Sequence, residues 1–112
     1  MRVCLLLMKT PSSDEDAERM LGILRGAKAQ GTEIAVYLLG DGVLCARKGQ
    51  TGYVGLNLGN VPERTTVRAS TRDLRARGIS DGDLEPGVEI IEDLEGVFIE
   101  DVMEKAERVF TW

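Results

Sequence analysis

A chain of 112 residues, 43% of them hydrophobic, has the size and apolar content of one folding unit with one core, and it needs no disulfide or metal to fold. Its net charge of -5 argues against direct nucleic-acid binding, which needs a basic surface to neutralise phosphates. Histidine is absent, so a Ser-His-Asp or Cys-His site within the chain is excluded; no metal site and no cofactor are expected, since Cys4 and Cys45 would need carboxylates to complete a zinc shell.

The first apolar run, residues 3–8, has the continuous hydrophobicity of a strand buried on both faces and is far too short to span a bilayer. No signal peptide is visible and the cysteines have no framework spacing, so a reduced, cytoplasmic protein off the membrane is expected. After a loop at residues 9–13, residues 14–30 have helical periodicity. Ser12 or Ser13 would cap this helix, and Ala17, Met20, Leu21, Leu24 and Ala27 would form its buried face, with Gly31 as the stop.

Residues 34–39 read as a second buried strand that ends at Gly40-Asp41-Gly42, with Asp41 as the expected N-cap of a helix over about 43–48. A strand-to-helix turn of this kind lies at the carboxyl edge of an open α/β sheet, where ligands usually bind. Residues 49–62 carry four glycines and read as an irregular loop long enough to be a lid or interface segment. A third strand is expected at 65–69, a short helix at 71–77 closed by Gly78, turns over 80–87, and a fourth strand at 88–91. The last helix, 94–107, would bury Val97, Phe98, Val102 and Met103, and a short strand at 108–111 ends the series. Strict alternation of strands and helices implies one α/β domain over residues 1–112, a three-layer α/β/α sandwich with a mostly parallel sheet of about five strands.

Cys45 has two readings. As a thiol near a helix N-terminus it would have a lowered pKa and be a candidate reactive group, helped by Arg47 and Lys48; as a small apolar residue it would pack under the sheet edge, as such cysteines usually do. Cys4 lies inside an apolar run and reads as core. Ser70-Thr71-Arg72-Asp73 matches a capping box, with Ser70 capping the helix and Asp73 reaching back. The same tetrad sits at the end of a strand, where Ser70, Thr71 and Arg72 would suit an anion; without a base the Ser70 hydroxyl is a poor nucleophile. Lys9 and Asp41 complete the candidate ligand-binding set, and Arg72, Arg75 and Arg77 form a candidate local basic patch.

Two segments carry a family resemblance. Val36 onward through Gly40-Asp41-Gly42-Val43 to Ala46 resembles the strand-turn-helix of the DsrE/DsrF-like family, and Val67 through Ser70-Thr71-Arg72-Asp73 to Arg77-Gly78-Ile79 resembles that family's second signature. The approach to the next strand, Leu84-Glu85-Pro86-Gly87-Val88, is similar as well. The resemblance implies a small α/β protein related to intracellular sulfur-relay components such as those of the Tus and Dsr complexes. It also implies assembly as a trimer or hexamer, of one subunit or of several related ones. The family's persulfide-carrying cysteine aligns with Ser70, and a second cysteine of some members aligns with Asp73. A hydroxyl cannot carry a persulfide, so the resemblance points to a non-catalytic oligomeric or partner subunit. A persulfide carrier using Cys45 and a small-anion-binding module are the alternatives.

Overall fold

Strands that are apolar on both sides need cover on both faces of their sheet, and the chain folds accordingly. The computed structural model describes residues 2–8, 22, 26, 29–48 and 65–111. In it, β1 (Arg2–Leu7), β2 (Glu33–Leu38), β3 (Thr65–Ser70), β4 (Val88–Ile91) and β5 (Arg108–Thr111) form one sheet in the order β4-β3-β2-β1-β5. Every neighbouring pair is parallel. Side-chain alternation divides the buried runs between two cores: Leu5, Leu7, Ile34, Val36 and Leu38 on one face, Cys4, Leu6, Ala35 and Tyr37 on the other.

The strand order fixes which connection covers which face. The chain steps from β1 to β4 in one direction and then returns across the sheet to β5. Right-handed crossovers therefore put the early connections on one face and the last connection on the other. On the first face lie a 3₁₀ segment, Gly40–Ala46, and helix α1, Thr71–Ala76, which contribute Val43, Cys45, Ala46 and Leu74 to the core. On the second lies helix α2, Leu94–Glu104, whose Leu94, Val97 and Phe98 pack over Cys4 and Tyr37.

The segment after β2 departs from the sequence expectation. It is a 3₁₀ helix that begins at Gly40 and ends at Ala46, not an α-helix over 43–48. Its cap position is Leu39, without a side-chain cap bond, so Asp41 is not the N-cap but an exposed first-turn residue. The glycines explain the early, tight start. Gly40 takes a φ of 55°, and a Cβ at Gly42 would stand 2.1 Å from the Leu7 carbonyl oxygen. The turn thus lies directly on the β1 backbone. The segment stops early because Arg47 bridges Leu84, Glu85 N–H donates to the Ala46 carbonyl at 2.8 Å, and Lys48 N–H donates to that of Asp83 at 2.8 Å.

Smaller shifts occur at element ends: β1 and β2 each begin and end one residue before the expected span, and α2 stops at Glu104, not Glu107. Met103 is 80% exposed and does not belong to the core; the inward face of α2 turns through Leu94 and Asp101 instead. Within the expected first helix only Gly22, Gly26 and Ala29 are described, all with helical backbone, and Gly31 follows at a φ of 66°, as a C-terminal stop requires. The rest of that helix and the loop at 49–62 lie outside the described residues.

Candidate functional site

The chain leaving β3 turns to one face of the sheet and the chain leaving β4 turns to the other. Adjacent strands whose connections diverge in this way open a crevice at their carboxyl ends, the usual ligand position in open α/β sheets. A small cleft of about 90 Å³ lies there, lined by Leu39, Ser70, Arg72, Glu92, Asp93, Leu94 and Glu95. Ser70 comes from the end of β3 and the acids from the β4–α2 junction, so the fold brings together residues far apart in sequence.

Ser70 is only 3% exposed. Its hydroxyl oxygen accepts the Asp73 N–H at 3.4 Å and caps α1. The reciprocal half of the expected box is missing. Asp73 does not reach back; its Oδ1 lies 3.7 Å from Arg77 Nη1 and 4.0 Å from Arg72 Nε. A closer Ser-x-x-Asp pairing occurs ten residues on, where the Asp83 carboxylate accepts from the Ser80 hydroxyl at 2.8 Å and from the Ser80 N–H at 3.1 Å. Those bonds hold the Asp83 carboxyl below its ordinary pKa. The sequence Ser80-Asp81-Gly82-Asp83 carried that signal within a stretch expected only to turn.

Two of the three arginines of the candidate basic patch, Arg72 and Arg77, are paired with acids, while Arg75 is exposed on α1. Arg72 donates to Glu95 Oε1 at 2.9 Å, and Arg77 donates twice to Asp41 Oδ1, at 3.0 and 2.8 Å. Asp41 therefore stands with Arg77, outside the lining of the cleft. Thr71 is half-buried at the start of α1, and Lys9 lies outside the described residues. Of the cleft acids, Asp93 caps α2 by accepting the Gly96 N–H at 3.2 Å, and Glu95 holds Arg72. Three acids and one already paired arginine make the lining negative.

Both thiols are buried. Cys45 is at 0% exposure in the core of the first face, in the second half of its 3₁₀ segment and not at a helix start. Cys4 is at 0% in the core of the other face, where burial first and the Asp101 carboxylate second push its pKa up to about 11.

Sequence reading missed the polar centre beneath α2. Asp101 is 5% exposed and accepts from Arg2 Nε at 2.8 Å, from Arg2 Nη2 at 2.6 Å and from the Tyr37 hydroxyl. Arg68 donates to the same hydroxyl at 2.8 Å and lies over the Tyr37 ring, while Phe98 meets that ring edge-on at 5.1 Å. The Arg2 bonds above all, with help from Tyr37, hold the Asp101 carboxyl down to about 2 against the opposing effect of burial. Burial, then the bond to Asp101, raises Tyr37 to about 12. The available signal was Asp101 itself, an acid at the i+7 position of a helical stripe that starts Leu94, Val97, Phe98.

A profile of the DsrE/DsrF-like family matches residues 1–62, more than half of the chain. The chain belongs to the DsrE/DsrF-like family. It is similar to the uncharacterized protein MK0008 of Methanopyrus kandleri, 28% identical over 93 residues that make up 79% of this chain and 77% of that protein. Its fold is similar to that of MTH1491, a protein of unknown function from Methanobacterium thermoautotrophicum, with a TM-score of 0.74, 23% identity and 97% of each chain covered. The ychN protein from E. coli has a similar fold, with a TM-score of 0.69, 22% identity and all of both chains covered.

Proposed function

We propose that this chain is a non-catalytic subunit of a DsrE-like assembly, formed with copies of itself as a trimer or hexamer or with related subunits of intracellular sulfur relay. One observation carries the reading. The position that the resemblance gives to the sulfur-carrying cysteine is Ser70, a buried hydroxyl already committed to capping α1. A hydroxyl there holds the helix and takes no sulfur. The burial of Cys4 and Cys45 supports the same reading, since neither sulfur is presented to a donor. A carrier built on Cys45 would first have to open the core around that residue. A small-anion module at Ser70, Thr71 and Arg72 would have to bind against Glu92, Asp93 and Glu95.

The test has two arms. Intact mass after treatment of the folded protein with a persulfide donor is expected to show no species heavier by one sulfur atom; a stable adduct that Cys45→Ser removes would transfer the role to that thiol. Sedimentation, alone and mixed with cysteine-bearing subunits of the same family, is expected to give masses above the 12.3 kDa of one chain. A strict monomer in every mixture overturns the subunit reading.

A further inference from the structure

The second face of the sheet is covered by α2. Among the described residues, α2 is the one helix over it, and two of the four exposed large apolar side chains, Ile99 and Met103, stand on it. Ile99 is 55% and Met103 80% exposed, four residues apart on the side of α2 turned away from Leu94 and Asp101. Val109 of β5 is 41% exposed and stands in register with Cys4, so it faces the same side. Glu100 and Glu104 are exposed along α2 beside Ile99 and Met103, whereas Glu95 is already paired with Arg72.

We infer that the outer face of α2 is a docking surface for a different polypeptide, one that presents apolar side chains rimmed by lysine or arginine. This rests on the subunit reading above and names the chemistry of the partner. Ile99 and Met103 are the apolar anchor, and the glutamates are the rim that selects a cationic counterpart. Charge decides against a two-fold pairing of this face with its own copy. A two-fold pairing places like surfaces together, so each glutamate rim would meet another in a chain of net charge -5. A basic rim turns the same charges into steering and register.

Two designed helical peptides serve as probes, each with a leucine stripe, one rimmed by lysine and its twin by glutamate. Fluorescence anisotropy is expected to show the lysine-rimmed peptide binding the wild-type protein and the twin failing to bind. Ile99→Ser with Met103→Ser, both at exposed positions, is expected to weaken binding by about tenfold or more with unchanged circular dichroism. Glu100→Lys with Glu104→Lys is expected to shift preference to the glutamate-rimmed twin. Binding that survives the serine pair is charge attraction alone and overturns the inference. Self-association that the serine pair abolishes also overturns it, in favour of a second copy. An assembly with family subunits that neither variant disturbs refutes this surface and leaves the subunit reading standing; absence of any assembly refutes that reading, and the peptide result then judges the surface alone.

Discussion

The polar centre under α2 makes the sharpest demand on the fold, and Asp101 is its keystone. Its carboxylate receives two bonds from Arg2 and one from Tyr37, and so ties α2 to β1 and β2 at once. Removing one partner of a buried pair costs about 3–5 kcal/mol, because the other charge stays buried and uncompensated. Arg2 keeps Glu33 and Tyr37 keeps Arg68, so the loss in Asp101→Ala belongs at the lower end, about 3 kcal/mol. The carboxyl is held at about 2, against an ordinary 3.8, chiefly by the Arg2 bonds. At about 1.4 kcal/mol per pKa unit this difference represents roughly 2 kcal/mol of stability from the ionised form. Because the folded pKa is the depressed one, that contribution is complete above pH 4 to 5 and is lost as pH falls toward about 2. Asp101→Asn keeps the shape but cannot titrate, so the stability gap between it and wild type should narrow by about 2 kcal/mol between pH 5 and pH 2. Urea melts followed by circular dichroism at several pH values measure the gap. A gap that does not change with pH, or a loss under about 0.5 kcal/mol at pH 7, would refute the role given to Asp101.

Three further outcomes are expected. Ser70→Ala should cost about 0.5–1 kcal/mol, the lower part of the range for helix caps, because the Ser70–Asp73 bond is long at 3.4 Å; an unchanged melting temperature means the hydroxyl is not the cap. Gly42→Ala should cost about 3 kcal/mol or prevent folding, since its Cβ would meet the main chain of Leu7 and not a movable side chain; a variant as stable as wild type contradicts the close approach. Neither Cys4 nor Cys45 should react with an aromatic disulfide reagent until the protein is unfolded in urea; rapid labelling of the folded protein at either position means that thiol is accessible.

The layered architecture was legible because its signals are local. Unbroken apolar runs mark β1 and β2 as doubly covered, and Gly78 and the Ser70 cap bracket α1 within one residue of where the sequence places it. What periodicity cannot supply is a pairing between distant residues. Arg77 takes Asp41 across 36 positions, a single contact that draws Asp41 away from the cleft and neutralises Arg77. The 3₁₀ winding after β2 has the same origin, since the close approach of Gly42 to Leu7 is a tertiary fact. Met103 lies outside the core because Asp101 turns inward with Leu94, and the helix geometry then sends Met103 out.

The cleft at the ends of β3 and β4 lies where open α/β sheets usually bind ligands. Two features of that position are set by topology alone: diverging connections open the crevice, and a helix begins at its floor. A cysteine at residue 70 would give such a crevice a nucleophile at a helix start. Serine at the same place supplies a good helix cap and a poor nucleophile, because nothing in a chain without histidine stands ready as the usual base at neutral pH. Replacing Ser70 by cysteine separates the two effects. It should weaken the cap by a few tenths to about 1 kcal/mol, and it puts a thiol where the resemblance expects one. If that variant accepts sulfur from a persulfide donor while wild type does not, the crevice retains the access and electrostatics of a carrier site, and residue 70 alone silences it. If the variant folds and still accepts none, the acids Glu92, Asp93 and Glu95 and the burial of residue 70 have closed the site as well, and the side chain at 70 is only one part of the change.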